Sequence, residues 1–186
     1  VIGFGSAQLV SGPLSDRYGR RPVLLGGLGI YVLASVACGL APTLPILVTS
    51  RLVQAVGCCT AVVVARAIIR DAYPPAEGAR MIAKASSLLS LAPLLGPIAG
   101  SYLQVSFGWR AAFAVLTVFA LLMATATTRW LEETNASRNP AATRLRPLLR
   151  TYGRIAASPA FWAYALPGPL SYAGTFIFIS GSSFVL

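Results

Sequence analysis

The chain has 186 residues, of which 56% are hydrophobic and 11% charged, and Lys+Arg 15 against Asp+Glu 5 gives a net charge of +10. A soluble domain carries about 25% charged residues, so a water-facing surface is excluded, and disorder is excluded because disordered chains are poor in apolar residues. What remains is an all-α integral membrane protein, and with no His in the sequence a histidine-ligated metal site and a His-based triad are excluded as well.

The chain opens at Val1 inside an apolar run, without Met or an export signal, and reads as a piece of a longer protein. Gaps between charges mark the expected spans: a partial helix over 1–12, then 23–41, 46–69 (uncharged over 52–65 between Arg51 and Arg66), 85–106, 111–128 and 160–184. A helix needs about 20 residues to cross the hydrocarbon layer. The apolar-out, polar-in alternation of a membrane barrel is missing.

The basic residues fall in alternate connections. Loop 12–22 holds Arg17, Arg20 and Arg21; loop 70–84 holds Arg70, Arg80 and Lys84. Loop 129–159 holds Arg129, Arg138, Arg144, Arg146, Arg150 and Arg154, whereas 42–45 and 107–110 hold only Arg110. The arginine-rich side is therefore expected to be cytoplasmic, and the excess of cations reads as topogenic rather than as a nucleic-acid surface. Within 129–159 the sequence is polar around Asn135–Pro147, as in a linker, and its Asn135-Ala136-Ser137 sequon is expected to be inert on that side. Arg146, Arg150 and Arg154 then recur every four residues opposite Leu145, Leu148, Leu149, Tyr152 and Ile155. This is the pattern of a short helix lying in the membrane interface or of a plain solvated linker. Cys38, Cys58 and Cys59 lie in apolar runs and read as small packing residues.

The most detailed motif is Gly12-Pro-Leu-Ser-Asp16-Arg17-Tyr-Gly19-Arg20-Arg21-Pro22. Gly12 permits close helix approach, Gly19 a strained turn, and Pro22 the first turn of the next helix. Asp16 is a lone carboxylate among three arginines. Asp71 and Arg20 fall on one membrane side. Arg51 lies inside a span at a cost of about 2.5–3.5 kcal/mol, so it is expected to face a cavity or a partner, the alternative being that it snorkels to the outer interface about five residues away. Gln54, Cys58, Ala61 and Ala65 share its helical face. Pro93 and Pro97 each remove a helical hydrogen bond, and Gly96 and Gly100 form a small-x-x-x-small face.

At Gly12–Pro22 the chain resembles the major facilitator superfamily. The resemblance extends through Arg51-Leu-Val-Gln54-Ala-Val-Gly57, Arg66-Ala-Ile-Ile-Arg70-Asp71, Pro93-Leu-Leu-Gly96-Pro97-Ile-Ala-Gly100, Gly108-Trp109-Arg110 and Phe178-Ile-Ser180-Gly181-Ser-Ser-Phe184. The set is similar to the Bcr/CflA-type drug–proton antiporters, although Ala92 and Ser101 stand where that branch's fifth-helix motif has glycine. The resemblance implies a fragment from the second to the seventh of twelve helices. Residues 1–128 would form an N-terminal bundle, 129–159 a cytoplasmic linker with a short amphipathic helix, and 160–186 the first helix of the C-terminal bundle. It implies a secondary carrier in the inner membrane, monomeric when full length, that exports a small-molecule drug in exchange for protons by alternating access. Arg51 and Gln54 would serve proton coupling. Gly12, Asp16, Arg17, Gly19, Arg20, Arg21 and Asp71 would serve gating, and Pro93, Gly96, Pro97 and Gly100 would form an antiporter helix. The resemblance also implies that the helix ends bearing Asp71 and Arg20 are neighbours, where opposite charges would latch one conformational state. An uptake symporter or facilitator of the same fold is the alternative. No enzyme, cofactor or metal is expected. All acids, Asp16, Asp71, Glu77, Glu132 and Glu133, sit in loops or at helix ends, so the implied proton site lies in a helix outside this sequence.

Overall fold

A computed structural model describes residues 2–135, 143, 145–171, 173, 174 and 177. The described residues are helical wherever they form regular structure. The chain divides into two units, Val1–Ala142 and Thr143–Leu186.

The first unit holds α1 (Ile2–Tyr18), α2 (Arg20–Leu40), α3 (Leu44–Ala72), α4 (Pro75–Leu89), α5 (Ala92–Phe107) and α6 (Arg110–Trp130). α2 is central and packs against α1, α3 and α6. α2, α3 and α6 are each long and apolar enough to cross a membrane. With 29 residues, α3 is about 44 Å long, enough for a whole bilayer with its headgroups.

Small residues set the packing. A Cβ on Gly57 of α3 would lie 2.7 Å from the Gly27 carbonyl oxygen and the Tyr31 nitrogen of α2, so only hydrogen fits at this crossing. Thr60 and Ser11 share a hydrogen bond of 2.9 Å between α3 and α1. Apart from Arg20 and glycines, the buried set is Ala, Cys, Ser, Thr and Gln with Val64 and Phe113, while Leu33, Val105, Phe119 and Leu122 point outward. This inverts the order of a soluble protein and suits a bundle whose exterior solvent is lipid.

Several boundaries differ from the expectations. The 12–22 connection is almost wholly helical, with Gly19 alone between α1 and α2. The 70–84 segment is not a loop: Pro74 and Pro75 start α4 directly after α3. The 85–106 span is interrupted at Ser90-Leu91, because Pro93 has no N–H to donate to the Leu89 carbonyl. Among the described residues the close packing expected of Gly12, Gly96 and Gly100 is not seen: a Cβ at any of them would meet nothing within 4 Å.

The second unit holds α7 (Leu145–Ala156) and α8 (Pro159–Ala165). The expected 160–184 helix is broken at Leu166, which precedes Pro167 and is thereby disfavoured from continuing the helix. The Phe178–Phe184 motif lies outside the described residues.

Candidate functional site

The Gly19 turn brings three elements together. Gly19 adopts φ 104 and ψ 160, a region essentially confined to glycine. The turn places Arg20, only 5% exposed, at the first position of α2. Its Nη1 donates to Asp16 Oδ1 at 2.6 Å and to Ser15 Oγ, and its Nε donates to Asp71 Oδ2 at 2.7 Å. One guanidinium thus bridges the last turn of α1, the start of α2 and the end of α3. The two carboxylates are unequal: Asp16 is 45% exposed and Asp71 23%. Exposed pairs contribute only about 0–1 kcal/mol, whereas charged hydrogen bonds away from water contribute about 1.5–3 kcal/mol. Asp71 is therefore the stronger partner.

The segment after α6 closes over this turn. Glu133 accepts the backbone N–H of Arg20 at 2.8 Å and that of Arg21 at 3.3 Å. It supplies the cap that Gly19 cannot, and places an anion at the positive end of α2. A Cβ on Gly19 would collide with the Glu133 carboxylate. Asn135 Nδ2 donates to the Ser15 and Asp16 carbonyls at 3.3 and 3.2 Å, pinning the last turn of α1, where the Ser15 carbonyl also accepts the Gly19 N–H at 3.1 Å. Arg21 Nη2 donates to the Thr128 carbonyl at 2.6 Å, tying α2 to the end of α6. Arg17 turns outward, its guanidinium 5.0 Å from the Tyr18 ring centroid. The sequence alone assigns Ser15, Glu133 and Asn135 no part in this turn: Glu133 reads there only as a helix-end acid and Asn135 only as part of an inert sequon.

A second polar group lies about 30 Å away along α3, by the 20 residues from Arg51 to Asp71. Arg51 Nη1 donates to Gln54 Oε1 at 2.8 Å, and Gln54 Nε2 donates to Ser35 Oγ of α2 at 2.7 Å. The Arg51 guanidinium stacks 4.8 Å from the ring centroid of Phe113 on α6. The expected shared face is split. Arg51, Cys58 and Ala65 are exposed, but Gln54 is 3% exposed because α2 covers it. At the same end Arg110 Nε donates to the Gly39 carbonyl at 3.0 Å, closing the last turn of α2. On α5, Pro93 lies in the first turn and Pro97 inside the continuous helix, remote in sequence from both groups. Among the described residues no cluster of His, Cys, Asp and Glu is grouped to hold a metal.

A family model described as Major Facilitator Superfamily matches residues 1–186. The Chloramphenicol resistance protein of Pseudomonas aeruginosa is 34% identical over 181 residues, which are 97% of this chain and 42% of that protein. Multidrug resistance protein D of Escherichia coli (strain K12) is 34% identical over 170 residues, 89% of this chain and 41% of that protein. The uncharacterized MFS-type transporter YdgK of Bacillus subtilis (strain 168) is 29% identical over 187 residues, 100% of this chain and 46% of that protein. The chain thus spans less than half the length of these relatives. The helical bundle, the arginine-bridged glycine turn and the family match over the whole sequence lead to one conclusion: this chain belongs to the major facilitator superfamily.

Proposed function

We propose that the chain is part of a secondary transporter of the inner membrane that exports amphiphilic drugs, of the chloramphenicol or bicyclomycin kind, in exchange for protons. Relatives named for chloramphenicol and multidrug resistance support this reading. The observation that carries the mechanism is the bridge from Arg20 to Asp16 and Asp71. It joins three helix ends with a few charged hydrogen bonds, which is the size of energy that separates two states of a rocking carrier. While the bridge holds, the arginine-rich end of the bundle stays closed; when it parts, α1 and α3 can separate and the pocket opens inward.

Arg51 is the second working group. Gln54 and Phe113 hold its guanidinium in place while leaving one side open. That side can receive a polar drug group or sense a carboxylate that changes charge. The acids of this sequence lie at helix ends or in connections, so the proton is carried by a carboxylate elsewhere in the whole protein. The linker 129–159 joins two bundles, and the intact transporter works as a monomer with the Gly19 turn on the cytoplasmic side.

A drug-hypersensitive host tests the proposal. The intact gene should restore growth on chloramphenicol or bicyclomycin, and efflux from vesicles of the full-length protein should follow an imposed pH gradient. Uptake driven by the same gradient, or efflux indifferent to it, would overturn the antiporter reading in favour of a symporter or facilitator.

A further inference from the structure

The second unit presents a charge problem that the transport reading does not use. Its helix α7 carries Arg146, Arg150 and Arg154 at four-residue spacing, and no acidic residue follows Glu133 in the sequence. The cations of α7 therefore have no carboxylate within their own unit to neutralise them. Like charges four residues apart on a helix repel one another. Arg150, Thr151, Arg154 and Pro147 line one open groove. On the opposite arc, about 120° wide at 3.6 residues per turn, fall Leu145, Leu148, Leu149, Tyr152, Ile155 and Ala156. Leu149 is 59% and Ile155 41% exposed.

A free phosphate or an acidic protein would satisfy the arginines but leave the leucines in water. An apolar protein surface would do the reverse. A membrane boundary that is apolar below and anionic above satisfies both at once. A second observation fixes the depth. Trp162 at the start of α8 donates its Nε1–H to the Ala156 carbonyl at 2.8 Å, which ties the last turn of α7 to an indole. Phe161 stands edge-on to it at 5.4 Å, and Tyr164 is exposed. Indoles and phenols concentrate at headgroup level.

We propose that α7 is a docking helix for anionic phospholipid headgroups, with Arg150 and Arg154 on the phosphates and Leu149 among the upper acyl chains. The inference is independent of what the protein transports. It is tested on the full 186-residue chain carrying Cys58→Ser and a nitroxide at Leu149→Cys. Cys38 and Cys59 are 0% exposed and take no label, which the Cys58→Ser chain alone verifies.

In vesicles containing phosphatidylglycerol, the label should become accessible to oxygen and protected from a water-soluble nickel chelate. In phosphatidylcholine vesicles, or with Arg150→Glu and Arg154→Glu together, chelate access should be roughly thirtyfold higher, as the loss of two arginine–headgroup attractions requires. Arg150→Lys with Arg154→Lys should keep the protection, which separates lost charge from a lost helix. Equal chelate access in both vesicles overturns the proposal. So does protection that persists in phosphatidylcholine, which means packing against protein, or protection produced there by inorganic phosphate, which means a small-ion site.

Discussion

Arg20 touches two carboxylates, and substitution should separate their weights. Asp71→Arg places two cations face to face, and transport by the intact protein should fall at least tenfold if the bridge holds the closed state. Adding Arg20→Asp re-forms the pair in reverse and should recover part of the activity. A double variant no better than either single one would remove the bridge from the mechanism. Asp16→Asn should cost less than Asp71→Asn, because Asp16 is the more exposed partner. Gly19 makes a separate prediction. Alanine there must hold a glycine-only conformation and displace Glu133, a loss of about 1–3 kcal/mol. The thermal midpoint of the chain in detergent should drop by roughly 5 °C. For Arg20 and Asp71 the charge pattern shows only a shared membrane side, and it is the family resemblance that places the two helix ends next to each other. The part of Glu133 was not legible, because its 113-residue separation from Arg20 leaves no local pattern.

Helices were legible where apolar length decides, and misread where backbone chemistry does. α2, α3 and α6 match the expected spans 23–41, 46–69 and 111–128 to within a few residues. The 85–106 stretch has the same composition but carries Pro93, and a missing N–H outweighs hydrophobicity in setting where a helix stops. Glycines show the same limit. Gly57 and Gly96 look alike in sequence, yet one lies at a backbone crossing and the other meets nothing within 4 Å. Gly57→Ala in this chain should therefore disrupt the α2–α3 contact and lower the midpoint clearly. Gly96→Ala should be neutral or raise it slightly, since alanine in a helix interior is favoured over glycine by about 0.5–1 kcal/mol. Circular dichroism melts of the two variants side by side check both signs. Gln54 was assigned to an open face because periodicity places it beside Arg51. Periodicity does not reveal that α2 covers that part of α3.

At the scale of the molecule, the two polar groups sit near opposite ends of α3, and the Gly19 turn belongs to the alternate set of connections that holds nearly all the topogenic arginines in the sequence. The orientation of the bundle therefore decides which group faces the cytoplasm, and the carrier mechanism needs it to be the Gly19 turn. The positive-inside rule predicts that side, and the structure selects the residue with which to test it. Ser15 is 0% exposed and would not react in the folded bundle, whereas Tyr18 is 52% exposed. Tyr18→Cys in the intact transporter should stay unlabelled by an impermeant maleimide added to whole cells, and react once the membrane is opened. A cysteine at Leu44, 72% exposed at the start of α3, should show the reverse. Labelling of Tyr18→Cys in sealed cells would put the arginine bridge outside, where closing it could not seal an export pathway against the cytoplasm.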